Sequence, residues 1–160
     1  MDGSTRAAVS YHGAQHASDY RLARSLFEEY AGQLGIDLCF QDFATELETL
    51  PAMYGAPDGA LIIARDREPL GCVAVRRLDA SRCEMKRLYV RAVARGRGIG
   101  RALALEAIAC GRALGYRSMA LDTLRSMHAA RQLYESLGFR PIPKYNDNPL
   151  ADAMFFGREL

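Results

Sequence analysis

The chain has 160 residues, 49% apolar and 25% charged, an ordinary soluble balance for a single domain that buries roughly two-thirds of its surface. No run approaches about 18 apolar residues, which excludes a membrane-spanning helix, and residues 1–30 lack the basic start and apolar stretch of a signal peptide. The net charge of +2 is uneven: residues 76–101 carry nine Arg or Lys against two acidic residues, a local +7 on a background of −5, as an anion site requires.

In chain order, Thr5 to Tyr11 alternates weakly as a first strand. Ser18-Asp19 then precedes Leu22, Leu26, Phe27 and Tyr30, one apolar stripe of a helix ending near Gly32 or Gly35. Phe43, Leu47 and Leu50 share one face of a short helix over 42–50 that Pro51 stops. After the turn at Pro57-Asp58-Gly59, Ala60 to Ala64 and Gly71 to Val75 read as strands joined by Asp66-Arg67-Glu68-Pro69, with a third strand from Cys83 to Val90. These three form an antiparallel meander.

Residues 99–114 are an Ala- and Leu-rich helix stopped by Gly115. A strand (Ser118 to Leu121), a helix (Met127 to Leu137, capped by Ser126 and stopped by Gly138) and a strand from Phe139 follow. That alternation predicts crossovers with parallel pairing. Met154 to Leu160 returns as an edge or antiparallel strand after a polar loop over 145–151. Cys39, Cys72, Cys83 and Cys110 form no Cys-x-x-Cys pair and read as reduced thiols in a cytoplasmic protein.

The most informative segment is Arg95-Gly96-Arg97-Gly98-Ile99-Gly100, between a strand and a helix. Glycine permits close backbone approach, free amides at a helix start face outward, and flanking arginines add charge, which together suit a phosphate. A P-loop needs Gly-Lys-Ser/Thr, and Gly100-Arg101-Ala102 does not supply it. A dinucleotide fold needs a third glycine where Arg101 stands, and neither it nor Ala102 supplies one. The pyrophosphate of a coenzyme A remains, beside the plainer reading of a tight turn with surface arginines. No zinc finger, recognition helix or RNA-binding aromatic pair supports a nucleic-acid partner.

Leu88-Tyr89-Val90-Arg91 followed by Arg95 to Gly100 resembles the acetyl-CoA signature of the GNAT N-acetyltransferase superfamily, whose core is Arg/Gln-x-x-Gly-x-Gly/Ala. Ala129 to Phe139, with Tyr134 before Gly138-Phe139, resembles that superfamily's closing motif. Cys83 to Val90 and Tyr145 to Pro149 are similar to a subgroup of small bacterial acetyltransferases. The resemblance implies a mixed α/β (α+β) fold, one domain over residues 1–160, with a central mixed sheet of about seven strands and flanking helices. It implies acetyl-CoA as cosubstrate, held by Leu88, Tyr89, Val90, Arg95, Gly96, Arg97, Gly98, Ile99, Gly100 and Arg101. The implied chemistry is direct transfer of the acetyl group to a primary amine of a small molecule. A backbone amide of Tyr89 or Val90 would face the thioester oxygen.

Tyr134 shares a helix face with Ala130, Leu133 and Leu137 and matches the family's general acid; a core tyrosine is the alternative. Glu84, a carboxylate on an otherwise apolar strand, lies four residues before Leu88 and so on its face by the period of two, a candidate base. Its alternative is an ion pair with Lys86, Arg87 or a sheet neighbour. Asp122-Thr123 either faces the acceptor or caps the next segment, and Tyr145, Asn146 and Asp147 either line its pocket or form a turn. His12, His16 and His128 have no companion at metal-ligand spacing, so no metal is expected. Residues 1–50 sum to −5, with Glu28, Glu29, Asp37 and Asp42 expected near the acceptor lip. Met154, Phe155 and Phe156 on an edge strand would favour a homodimer. A protein N-acetyltransferase and an inactive acetyl-CoA-binding protein are the competing functions.

Overall fold

The computed structural model describes residues 7–35 and 42–160. The expected seven-stranded mixed sheet with flanking helices is present, in the order β1-β2-β3-β4-β5-β7-β6. Strand β1 (Ser10–Gly13) pairs antiparallel with β2 (Ala60–Arg65), whereas Thr5 and Arg6 of the predicted first strand lie outside the described residues. Helix α1 (Ala17–Leu34) starts earlier than Ser18-Asp19 suggests, because Asp19 is not its cap but its third residue. The Asp19 carboxylate accepts the backbone N–H groups of Gln15 and His16, each at 3.0 Å, which satisfies donors that the first turn leaves open. Gly35, at φ 62°, closes the helix as read.

The short second helix is two. Helix α2 (Phe43–Glu48) ends at Thr49, and α3 (Leu50–Tyr54) carries Pro51 in its first turn. Proline lacks an N–H but none is needed there, so Pro51 begins a helix rather than ending one. Strands β2, β3 (Pro69–Arg77) and β4 (Arg82–Val90) make the predicted meander. Helix α4 (Ile99–Ala113) then crosses to β5 (Ser118–Leu124), which pairs parallel with β4.

Helix α5 (His128–Ser136) is preceded by Met127, with no side-chain cap from Ser126. It leads to β6 (Arg140–Pro141), but the second parallel pairing does not form. Strand β7 (Ala153–Glu159) inserts between β5 and β6, antiparallel to both. Residues 155–157 are therefore covered on both sides, the antiparallel alternative for this strand is present, and the edge-strand premise for a dimer is corrected at Phe155 and Phe156.

Two apolar layers hold the sheet. Leu103, Ala107 and Ile108 of α4 pack on Val73, Cys83, Met85 and Met119, while Leu26 and Phe27 of α1 pack on Leu61, Ile63 and Ala74 opposite. Cys72 and Cys83 are buried free thiols and Cys110 is half-buried; Cys39 lies outside the described residues. No helix among the described residues is long and apolar enough to cross a membrane.

Candidate active site

The site begins where β4 and β5 part. Their pairing covers only Arg82–Glu84 against Ser118–Ala120, so the ladder between the two strands stops at Glu84 and Ala120. On its other side β4 carries a bulge: Lys86 and Tyr89 oppose Ala74 and Cys72, three steps against two. Arg87 sits at its centre with φ 58°, a conformation unusual for a side-chain-bearing residue. The Glu46 carboxylate of α2 holds it there, accepting Arg87 Nε at 2.9 Å and Nη2 at 2.8 Å, both groups buried.

The bulge reverses side-chain alternation. Met85 faces the α4 layer, as do Leu88 and Val90, whereas Tyr89 joins the α1 layer. The backbone follows suit. Arg91 N–H donates to Leu70 O at 2.8 Å, toward β3, so by strand alternation the N–H of Val90 points to the opened side. The N–H of Tyr89, one residue earlier, points back toward β3 by the same alternation.

The cradle follows a 3₁₀ turn at Ala92–Ala94. Gly96 and Gly98 adopt φ 80° and 76°, which only glycine takes without strain, and a Cβ on either would meet no protein atom within 4 Å. The concavity above them is open. Gly98 caps α4, and the first intrahelical bond comes from Ala102 N–H, so the amides of Ile99, Gly100 and Arg101 remain for an anion. Arg95 donates to Gln33 at 3.0 Å, Arg97 pairs with Asp66 at 3.4 Å, and Arg101 donates to Ser136 at 3.0 Å. Of the three, Arg95 lines the groove that leads from the cradle.

A groove of about 390 Å³ runs from Arg95 and Gly100 past Leu88 and Val90 to Tyr134. Beyond Tyr134 a narrower cavity of about 60 Å³ passes between β4 and β5, lined by Lys86, Arg87, Asp122 and Thr123. Tyr134 walls both. Its ring packs edge-on against Phe139 at 5.9 Å, and its hydroxyl has no hydrogen-bond partner among the described residues. Burial pushes that hydroxyl well above the usual tyrosine range, so it stays protonated and can donate.

Glu84 is elsewhere. With the bulge between them, the period-of-two argument fails, and Glu84 lies on the face opposite Leu88. Its side chain is 0% exposed, accepts Arg76 Nε at 2.7 Å and the Tyr145 hydroxyl at 2.5 Å, and stands 3.9 Å from Lys86 Nζ. Burial and the neighbouring Glu84 charge push the Tyr145 hydroxyl far up, which keeps it a donor. The sheet-neighbour alternative therefore describes Glu84, and it is corrected from candidate base to the anchor of the loop beginning at Tyr145. Accordingly Glu84→Gln should lower the acetylation rate by the same factor from about pH 6 to pH 10 and cost roughly 1–3 kcal/mol of stability in urea unfolding. A penalty confined to low pH would restore Glu84 as the base.

The acidic lip also changes. Glu29 accepts the Tyr89 hydroxyl at 2.7 Å and Arg91 Nε at 3.1 Å, clamping α1 to β4. Glu28 pairs with Arg24 on the surface, Asp42 stands at the start of α2 without a side-chain cap bond, and Asp37 lies outside the described residues. Tyr30 lines both cavities, a residue that sequence periodicity assigned to the helix's core stripe. No group of metal-binding side chains occurs among the described residues.

Known proteins resemble this chain in sequence and in fold. The family model of the acetyltransferase (GNAT) family matches residues 21–139. An uncharacterized N-acetyltransferase of Schizosaccharomyces pombe is 40% identical over 149 residues, covering 91% of this chain and 90% of that one. A Streptococcus agalactiae acetyltransferase structure superposes with a TM-score of 0.78 at 22% identity, over 95% of this chain and 98% of the other. A Bacillus subtilis acetyltransferase solved in complex with CoA has a TM-score of 0.68 at 17% identity, over 96% and 99%. With a split sheet, a glycine cradle at a helix start and a sequence match spanning both, the chain belongs to the GNAT family and is an acetyl-CoA-dependent N-acetyltransferase.

Proposed function

We propose that the protein acetylates a primary amine of a small molecule by direct attack on the thioester in a ternary complex. The observation that carries this is that Tyr30, Leu88 and Tyr134 line both the 390 Å³ groove and the 60 Å³ cavity, which gives each of two reactants a place beside one tyrosine. The narrow acceptor end suits a slim amine better than a peptide chain. The amides of residues 99–101 and the three arginines bind the pyrophosphate, and the unpaired edge at Leu88 and Val90 orients the pantetheine arm. Val90 N–H donates to the carbonyl oxygen as it gains negative charge, a contribution worth roughly 10²–10³ in rate for one such donor. Tyr134 donates its proton to the departing sulfur.

The protein is assayed with acetyl-CoA and a panel of amines, following thiol release. Small primary amines should turn over. Preferential acetylation of peptides would reassign it to protein substrates, and tight binding without turnover would make it an acetyl-CoA-binding protein. Gly98→Asp should lower acetyl-CoA affinity at least about tenfold by calorimetry, because a carboxylate would stand where the pyrophosphate sits. Unchanged affinity in the folded variant would place the coenzyme elsewhere.

Free, buried or half-buried cysteines support a reducing compartment such as the cytoplasm. We also propose a homodimer through the sheet face of β5, β7 and β6, where a groove of about 950 Å³ is floored by Ala120 and Gly157. Light scattering at micromolar concentration should give about twice the 17.7 kDa of one chain. A monomer throughout that range ends the proposal.

A further inference from the structure

We propose that Asp122 receives the acceptor's ammonium group and takes its proton, making the cavity beyond Tyr134 a site for a primary amine on a slim, unbranched arm. The inference rests on the acetyl-transfer reading of this site and adds the acceptor's anchor to it.

Asp122 lies on β5 just past the last residue paired with β4, so it stands at the gap between the strands. One carboxylate oxygen, Oδ2, accepts the side-chain amides of Asn146 at 2.9 Å and Asn148 at 3.2 Å. Each amide is fixed at its other end. Asn146 Oδ1 accepts the backbone N–H of Asn148, and Asn148 Oδ1 accepts that of Leu150, both at 3.0 Å. With their oxygens committed to backbone donors, only the NH₂ ends can face Asp122. Tyr145, one residue earlier, is tied to Glu84 and stacks edge-on against Phe155, the residue opposite Asp122 on β7. The loop is thus held at several points around one carboxylate.

Oδ1 is left without a hydrogen-bond partner among the described residues, on a side chain that lines the 60 Å³ cavity with Tyr134. Amides that hold Oδ2 supply no positive charge, and Lys86 in the same lining, which also stands 3.9 Å from Glu84, offsets only part of the attraction of Asp122 for a second cation. Around it, Lys86 of β4, Tyr30 of α1, Tyr134 of α5 and Tyr145 of the loop sense its charge. Arg87 also lines the cavity, but Glu46 holds its guanidinium. Among the described residues Asp122 is the one carboxylate in the lining. An ammonium entering there meets an oriented, open oxygen and forms a charge-assisted hydrogen bond.

The proton count closes. The ammonium gives one proton to Oδ1, the freed lone pair forms the N–C bond, and the C–S bond breaks. Of the two protons the nitrogen loses in all, one ends on sulfur by way of Tyr134 and the other leaves to solvent.

The test uses n-propylamine as probe on the intact protein loaded with coenzyme. In carbon-13 NMR of protein labelled at aspartate carboxyls, n-propylammonium should move the Asp122 resonance, identified by its loss in Asp122→Asn, and tetramethylammonium should not. An unmoved resonance overturns the site. In turnover, Asp122→Asn should lower kcat/KM for n-propylamine about 100-fold or more near pH 7, the scale of one positioned base. The gap should narrow below about tenfold near pH 10, where the amine is half neutral, with acetyl-CoA affinity unchanged. The double variant Asn146→Ala, Asn148→Ala should raise KM for the amine with a smaller change in kcat. A pH-independent loss in Asp122→Asn, or more than half the wild-type rate, overturns the proton-accepting role. A moved resonance without wild-type turnover would defeat the acetyl-transfer reading while supporting the ammonium site.

Discussion

Tyr134→Phe should lower kcat by roughly 10² to 10⁴ while leaving acetyl-CoA affinity within about twofold, because it removes one oxygen and keeps the ring that packs on Phe139. The hydroxyl is placed for donation. Tyr134 lines both the 390 Å³ groove and the 60 Å³ cavity, and its hydroxyl has no hydrogen-bond partner among the described residues to surrender. Burial raises its pKa, which alone would make proton transfer to a thiolate of ordinary pKa about 8.5 more uphill. The same dry surroundings destabilise the thiolate as well, so the two anions rise together and the transfer stays accessible. Because the hydroxyl remains protonated through neutral and mildly alkaline pH, the variant's loss should be constant from about pH 6 to pH 9. Single-turnover measurements check this, since slow product release would mask it in steady state. More than half the wild-type rate in the chemical step would give the role of acid to another donor.

The inward placement of Tyr134 was legible in the sequence because its evidence is local. A four-residue helical spacing set the inward face, and Gly138 fixed the helix end at φ 87°. The cradle was legible for the same reason, since Gly96, Gly98 and the start of α4 are contiguous. Glu84 was misread because the alternation that put it beside Leu88 assumes an unbroken strand. The bulge that breaks it is built on Arg87, a residue type that gives no sign of a left-handed conformation, and its counterion Glu46 lies 41 residues away. Asp122 was ambiguous for a like reason: its clamps come from 24 and 26 residues downstream. The insertion of β7 between β5 and β6 also rests on contacts between distant segments, and strand alternation contains no information about order.

Glu46→Ala should cost about 3–5 kcal/mol of folding stability, the usual result of stripping one partner from a buried ion pair. The Arg87 and Glu46 side chains are 5% and 1% exposed, and two hydrogen bonds join them. The guanidinium also lies over the Phe43 ring at 5.3 Å. Without the carboxylate, a buried cation would lose the counterion that accepts both of its hydrogen bonds. Removing both charges should be milder: in urea unfolding, Glu46→Leu with Arg87→Gly should be more stable than Glu46→Ala. Glycine also accepts φ 58° without strain, so this double variant should keep the bulge, the outward Val90 amide and acetyl-CoA affinity. Glu46→Leu with Arg87→Val should behave differently. A β-branched residue resists the left-handed region, so β4 should straighten and carry Leu88 and Val90 off the groove. Calorimetry should then show acetyl-CoA affinity falling at least about tenfold in a protein that still unfolds cooperatively. Equal affinity in the glycine and valine variants would mean that the bulge is not what presents the β4 edge to the coenzyme.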